Sequence, residues 1–164
     1  MSDLKILPYT ESNRSALTSL MEEFNQYIQS IDPLKWTEYR TGSTEYFIKK
    51  MMKEVRDQNG IIYIATKNNT VIGFIAGYCK DLDEDEIQES IPQKQAHVSE
   101  LYVREAFRGT GVAQALFSAI EVYFKEKGRD TLRLFVFAPN ERARQFYKKE
   151  GFEERSLFLM KSLK

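Results

Sequence analysis

At 164 residues with 42% hydrophobic content, the chain fits a single domain, expected over 1–164, that buries roughly two-thirds of its unfolded surface around one core. Lys plus Arg and Asp plus Glu both number 24, which excludes a global basic field for nucleic acid or an anionic membrane, and no run approaches the roughly 20 apolar residues that span a bilayer. Cys79, the single cysteine, has no partner for an intramolecular disulfide, and Met1-Ser2-Asp3-Leu4-Lys5 lacks the basic and apolar regions of a secretory signal, so the expected location is the cytoplasm.

Leu4 to Leu7 alternates apolar and polar and ends at Pro8, the pattern of a short strand near a sheet edge. From Ser12 to Gln29, Leu17, Leu20, Met21, Phe24, Tyr27 and Ile28 recur at helical spacing, and the helix is expected to stop before Ile31-Asp32-Pro33. Leu34 to Tyr39 reads as a loop bearing an aromatic pair, followed by a second helix near Ser43 to Asp57 that ends at Asn59-Gly60. Ile61 to Thr66 and Val71 to Lys80 flank Lys67-Asn68-Asn69-Thr70, which predicts an antiparallel hairpin, with Gly73 and Gly77 marking a bulge or close packing. Asn13 and Asn68 match the glycosylation triplet, but without a secretory signal the match is set aside. Asp81 to Ser90 is dense in acid: the plain reading is a solvated loop, the sharper one a lip attracting a cationic substrate.

Ala96 to Val103 reads as a strand, and Val112 to Phe124 as an amphipathic helix capped by Gly128. Thr131 to Ala138 alternates as a strand covered on both faces, so strand, helix and strand imply a crossover with parallel neighbours. Asn140 is expected to cap a short helix that Gly151-Phe152 ends, and Glu154 to Met160 to return as a final strand. Its Leu157-Phe158-Leu159-Met160 run is expected either to pair across a homodimer or to join the core.

Between strand and helix stands Arg108-Gly109-Thr110-Gly111-Val112-Ala113. A helix start leaves backbone amides without internal partners and carries partial positive charge, glycines let an anion approach, and Arg108 adds a charged donor. The dinucleotide fingerprint fails because Gln114 occupies its third glycine position, and the triphosphate loop fails for want of Gly-Lys-Ser/Thr.

This stretch resembles the GNAT superfamily, the Gcn5-related N-acetyltransferases, whose coenzyme motif Arg/Gln-x-x-Gly-x-Gly/Ala stands here as Arg108, Gly111 and Ala113 after Leu101-Tyr102-Val103. A second resemblance lies in Asn140, Ala143, Tyr147 and Gly151-Phe152, and the specific match covers roughly residues 97 to 153. It implies an α/β fold with a mixed central sheet of about six to seven strands, about four flanking helices and two splayed parallel strands at the cofactor site. The implied cofactor is acetyl-coenzyme A, with its pyrophosphate on Arg108, Gly109, Thr110, Gly111, Val112 and Ala113, and its arm beside Leu101, Tyr102 and Val103. Asn140 is read as helix cap, coenzyme contact or both. No metal is implied.

The implied reaction is direct transfer of acetyl to a primary amine of a small molecule or protein. Tyr147 matches the tyrosine that protonates the departing thiolate in relatives; periodicity alone makes it a core aromatic. His97, the only histidine, and Glu100 are the candidates for the base, with transfer through water as the alternative. Simple alternation places His97, Ser99, Leu101 and Val103 on one strand face and Val98, Glu100 and Tyr102 on the other, unless a bulge shifts the register. Asp32, Trp36 and Tyr39 are candidates for an amine-binding wall, and Cys79 reads as a small buried hydrophobe. A coenzyme-binding sensor without catalysis and a transferase using another acyl-coenzyme A are the competing functions.

Overall fold

Five strands, β1 (Leu4–Pro8), β2 (Ile61–Lys67), β3 (Thr70–Lys80), β4 (Gln95–Val103) and β5 (Thr131–Leu134), form one sheet in sequence order. The neighbours are antiparallel except β4 and β5, which run parallel. The computed structural model describes residues 3–163; Met1 and Ser2, part of the N-terminal stretch read above, and Lys164 lie outside the described residues. Helices α1 (Arg14–Ser30), α2 (Ser43–Asp57), α3 (Glu84–Glu89), α4 (Val112–Glu126) and α5 (Glu141–Lys149) complete the α/β domain.

The sheet is a shared wall between two apolar clusters. On one face, Leu17, Leu20 and Met21 of α1 and Ile48 and Met51 of α2 pack on Ile62, Ile64, Phe74, Ala76 and Tyr102. On the other, Val112, Leu116, Phe117, Ile120 and Phe124 of α4 cover Ile75, Cys79, Ala96, Val98 and Val103. Each of these large side chains contributes about 1.5–3 kcal/mol by leaving water. Gly77 is required for that closeness: a Cβ there would stand 2.6 Å from the His97 carbonyl oxygen and 3.1 Å from Ile120 Cδ1. The β2–β3 hairpin turns on Asn68 and Asn69, both left-handed at φ 49° and 61°, the conformation that a two-residue turn of matching twist demands.

Register breaks once between β3 and β4: Ala76 pairs with Glu100, but Gly77 pairs with Val98, so Ser99 is an extra residue. Cross-strand partners share a face, and the bulge therefore overturns the simple alternation. His97, Glu100 and Tyr102 oppose Tyr78, Ala76 and Phe74 on the α1/α2 side, while Ala96, Val98 and Leu101 oppose Cys79, Gly77 and Ile75 on the α4 side.

Three expectations about elements change. The strand expected over Thr131 to Ala138 ends at Leu134, because β5 pairs only as far as Val98↔Leu134 and then diverges from β4. The final strand expected over Glu154 to Met160 is absent: Leu157, Phe158, Leu159 and Met160 are exposed and unpaired in the sheet, so five strands stand instead of six to seven. Within the acidic run, α3 adds a fifth helix, nucleated by a reciprocal cap in which Asp83 accepts from the Glu86 amide at 2.9 Å and Glu86 accepts from the Asp83 amide at 3.0 Å.

Candidate active site

The divergence of β4 and β5 creates the site. Beyond Val98↔Leu134 the parallel ladder stops while β4 continues to Val103, so the β4 backbone groups on that edge lose their strand partners. The opening is a cleft lined by Val98, Ser99, Glu100 and Leu101 on one wall and Phe135, Val136 and Phe137 on the other. Phe24 and Ile28 of α1 and Asn140, Ala143 and Tyr147 at α5 close it.

At the end of β4 the chain passes a 3₁₀ turn, Glu105–Phe107, and enters the glycine hinge. Gly109 and Gly111 adopt φ 75° and 87°, and no atom lies within 4 Å of where a Cβ would stand on either. Gly111 caps α4, so the first-turn amides, which have no intrahelical partners, open onto free space. An anion such as a pyrophosphate fits this surface, with the helix dipole favouring it. Thr110 donates its hydroxyl to the Phe107 carbonyl at 2.7 Å and so stiffens the hinge. Arg108 donates from Nε to the Val103 carbonyl at 2.9 Å, and its guanidinium lies 4.8 Å from the Tyr27 ring and 5.4 Å from the Tyr102 ring. Its visible task is to bind hinge, β4 and α1 into one unit.

Tyr147 is held by a ring cage, with centroids 5.5 Å from Phe146, 5.7 Å from Phe152 and 6.3 Å from Phe117. The downstream Gly-Phe pair explains the cage. Gly151 at φ 87° lets the chain reverse, the Phe152 amide bonds to the Tyr147 carbonyl at 2.9 Å, and the Phe152 ring folds back on the helix it has just left. Burial, with Glu100 adding, pushes the Tyr147 phenol up to about 12. Asn140 caps α5 by accepting from the Ala143 amide at 3.2 Å, and its Oδ1 also lies 3.1 Å from the Tyr27 hydroxyl of α1.

The two base candidates share the α1/α2 face but not one environment. Glu100 lines the cleft, and desolvation, with Glu54 adding, pushes its carboxyl up to about 7. His97 is driven down to about 4 by burial and then by Arg133, Lys80 and Lys50, and its Nδ1 is buried without a hydrogen-bond partner. Its ring packs between Tyr78 and Phe135, at centroid distances of 5.3 and 5.5 Å.

Two expected substrate contacts are committed elsewhere. Asp32 is buried, and its carboxylate accepts the amides of Leu34, Trp36 and Thr37 at 3.0, 2.9 and 2.8 Å, so it shapes the loop instead of joining an amine-binding wall. Burial would push this carboxyl up, but the hydrogen bonds, led by Thr37, hold it below its ordinary value. Half of the acidic run is engaged as well: Glu86 meets Arg133 and Asp81 meets Arg129, each at 2.6 Å, while Asp83 caps α3. Tyr27, Phe24 and Ile28 are the site residues that the sequence reading assigned only to a core face. Tyr27 was detectable as a hydroxyl on an otherwise apolar stripe. Among the described residues no group of three or more His, Cys, Asp or Glu side chains is arranged to hold a metal, and no helix is long and apolar enough to cross a membrane.

A mixed sheet whose parallel pair splays beside a glycine-capped helix defines the class. The chain belongs to the Acetyltransferase (GNAT) family, whose pattern it matches over residues 19–152. It is 33% identical over 112 residues to an uncharacterized N-acetyltransferase of Methanocaldococcus jannaschii, a match covering 68% of this chain and 46% of that protein. The chain thus spans under half of that relative. Against the uncharacterized N-acetyltransferase YdgE of Bacillus subtilis it is 29% identical over 138 residues, covering 82% and 83% of the two chains. Its fold is similar to that of the BH1408 protein from Bacillus halodurans, solved as a tetramutant, with TM-score 0.82, 18% identity, and coverage of 97% and 99%. The aminoglycoside N-acetyltransferase AAC(6')-Iy in complex with CoA superimposes with TM-score 0.67 at 17% identity, covering 98% and 96%.

Proposed function

We propose that this chain is an acetyl-coenzyme A dependent N-acetyltransferase that moves acetyl directly to a primary amine of a small molecule or protein, in the cytoplasm. The observation that carries this reading is the interrupted β4–β5 ladder, which leaves open backbone groups between an anion-accepting helix start and a cleft lined by Glu100 of β4 and Tyr147 of α5. A structural neighbour solved in complex with CoA, and relatives named N-acetyltransferases, support it. Cys79, a buried thiol with no disulfide, suits a reducing compartment.

Bound acetyl-coenzyme A supplies an activated thioester. The hinge amides from Gly109 to Ala113 and the α4 dipole hold its pyrophosphate, and the freed edge of Leu101 to Val103 offers donors to its arm and to charge developing on the acyl oxygen. An alkylammonium has a pKa near 10 and must lose a proton before attack. Glu100 accepts that proton, because a carboxyl poised at about 7 is ionised in a useful fraction and still basic enough to take it. Tyr147 stays protonated through the physiological range and holds a proton in the cleft for the departing thiolate. A carbon–nitrogen bond forms, a carbon–sulfur bond breaks, and one proton moves at each end.

The test is release of free thiol from acetyl-coenzyme A across a panel of amines, with coenzyme affinity measured separately by calorimetry. Amine-dependent release is expected. Tight coenzyme binding without turnover of any amine would overturn the enzyme reading in favour of a sensor.

A further inference from the structure

The cleft has two ends, and they differ in chemistry. The end near Val103 and Asn140 adjoins the hinge that accepts an anion. The other, at the start of the splay, has Phe135 in its lining, and beyond it His97 and Tyr78 continue a row of rings, in contact at 5.5 and 5.3 Å. Phe135 is 76% exposed although it lines the cleft, so much of its ring stands uncovered at the mouth beside the Arg133 guanidinium, 5.6 Å from the ring centre. His97 Nδ1, buried beside it without a partner, is an unmet polar group in the same row. A buried polar atom without a partner is costly to the fold, and it marks this row as a place where packing alone does not explain the residue present.

Charge at this end is equally selective. Among the described residues lining the cleft, Glu100 is the single acid. Of the carboxylates nearby, Glu86 meets Arg133 at 2.6 Å and Glu54 lies 3.9 Å from Lys50, while Lys50, Lys80 and Arg133 all act on His97. A polyamine or aminoglycoside carries several ammonium groups and needs several free carboxylates, while those cations would oppose its second and third charges. A single ammonium on a flat apolar body needs one carboxylate and an aromatic wall.

We infer that the acceptor is a monoamine borne on an aromatic or similarly planar apolar group, its ring lying along Tyr78, His97 and Phe135 and its nitrogen meeting Glu100. The inference rests on the transferase reading above. It places acceptor and coenzyme at opposite ends of one cleft and makes Phe135 a specificity-determining residue.

The experiment compares kcat/KM for 2-phenylethylamine, spermidine and kanamycin, each with saturating acetyl-coenzyme A, in the unaltered protein and in Phe135→Ala. Expected is at least about a 10-fold preference for phenylethylamine, the scale on which apolar pockets discriminate, and about a 10-fold fall in that value through KM on losing the ring. The spermidine value should move less than about 3-fold on the same scale. Spermidine or kanamycin matching phenylethylamine, or Phe135→Ala lowering all amines equally, would overturn the inference and leave the transferase reading standing. No turnover of any amine by coenzyme-loaded protein would overturn both.

Discussion

Burial acts on Glu100 and His97 in opposite directions, and that difference separates two candidates that sequence left equal. A carboxyl raised to about 7 ionises as pH climbs through neutrality, whereas an imidazole lowered to about 4 has finished titrating well below it. The profile of kcat/KM should therefore rise through an apparent pKa of about 7, and Glu100→Gln should remove that limb while lowering kcat by about 10²- to 10⁴-fold. His97→Ala should leave the limb in place; a limb that vanishes with His97 and survives Glu100→Gln would reverse the assignment. The same shift has a cost in stability. Glu100 binds its proton more tightly folded than unfolded, so stability falls as pH rises from the ordinary carboxylate value, 4.5, through about 7. Glu100→Gln should then be the more stable protein at pH 8, by on the order of 1–2 kcal/mol after solvent screening, with no advantage at pH 4 in thermal melts. Tyr147→Phe, which keeps the ring cage, should slow transfer by about 10- to 1,000-fold without changing coenzyme affinity.

Helix ends carry more of the site than helix faces do. Asn140 joins the start of α5 to α1 through Tyr27, so Asn140→Ala loses a cap worth about 1 kcal/mol and also loosens the cleft wall, which calorimetric melting and KM for both substrates would register together. At the hinge, Gly111→Ala meets no neighbour but forces a side chain to φ 87°, a strain of about 1–2 kcal/mol. Its larger expected effect is a raised Kd for acetyl-coenzyme A, since the Cβ enters the space over the first-turn amides; an unchanged Kd would remove Gly111 from the cradle. These termini were also the best-read features of the sequence, because Gly111, Gly128, Asn140 and Gly151 act through local backbone geometry. The short helix α3 shows in the sequence only through the Asp83 and Glu86 capping pair, because six acids in ten residues leave no apolar period to mark a helix face. Strand ends were misread for the opposite reason. Alternation continues past Leu134, but a strand is defined by its partner, and the partner has turned away.

Across the whole molecule, one sheet separates two cores while a single interrupted ladder opens between them. Its C-terminal segment takes part in neither core: Phe158 is 88% exposed and Leu163 is 92% exposed. Truncation after Arg155 should leave the melting temperature within about 2 °C, since every described residue it removes is exposed. A large destabilisation would show that this segment packs in solution. The two cores were legible from periodicity in α1, α2 and α4, but which face each β4 side chain joins was not, because a one-residue bulge leaves no mark on composition. Ser99 gives that bulge an evolutionary reading. Ser99 is the residue that the pairing leaves over, so its deletion should join Glu100↔Ala76 and Val98↔Gly77 into regular alternation and keep Ala96, His97 and Val98 on the faces they hold. Lineages of this fold can therefore lose this one residue without turning the rest of β4 over.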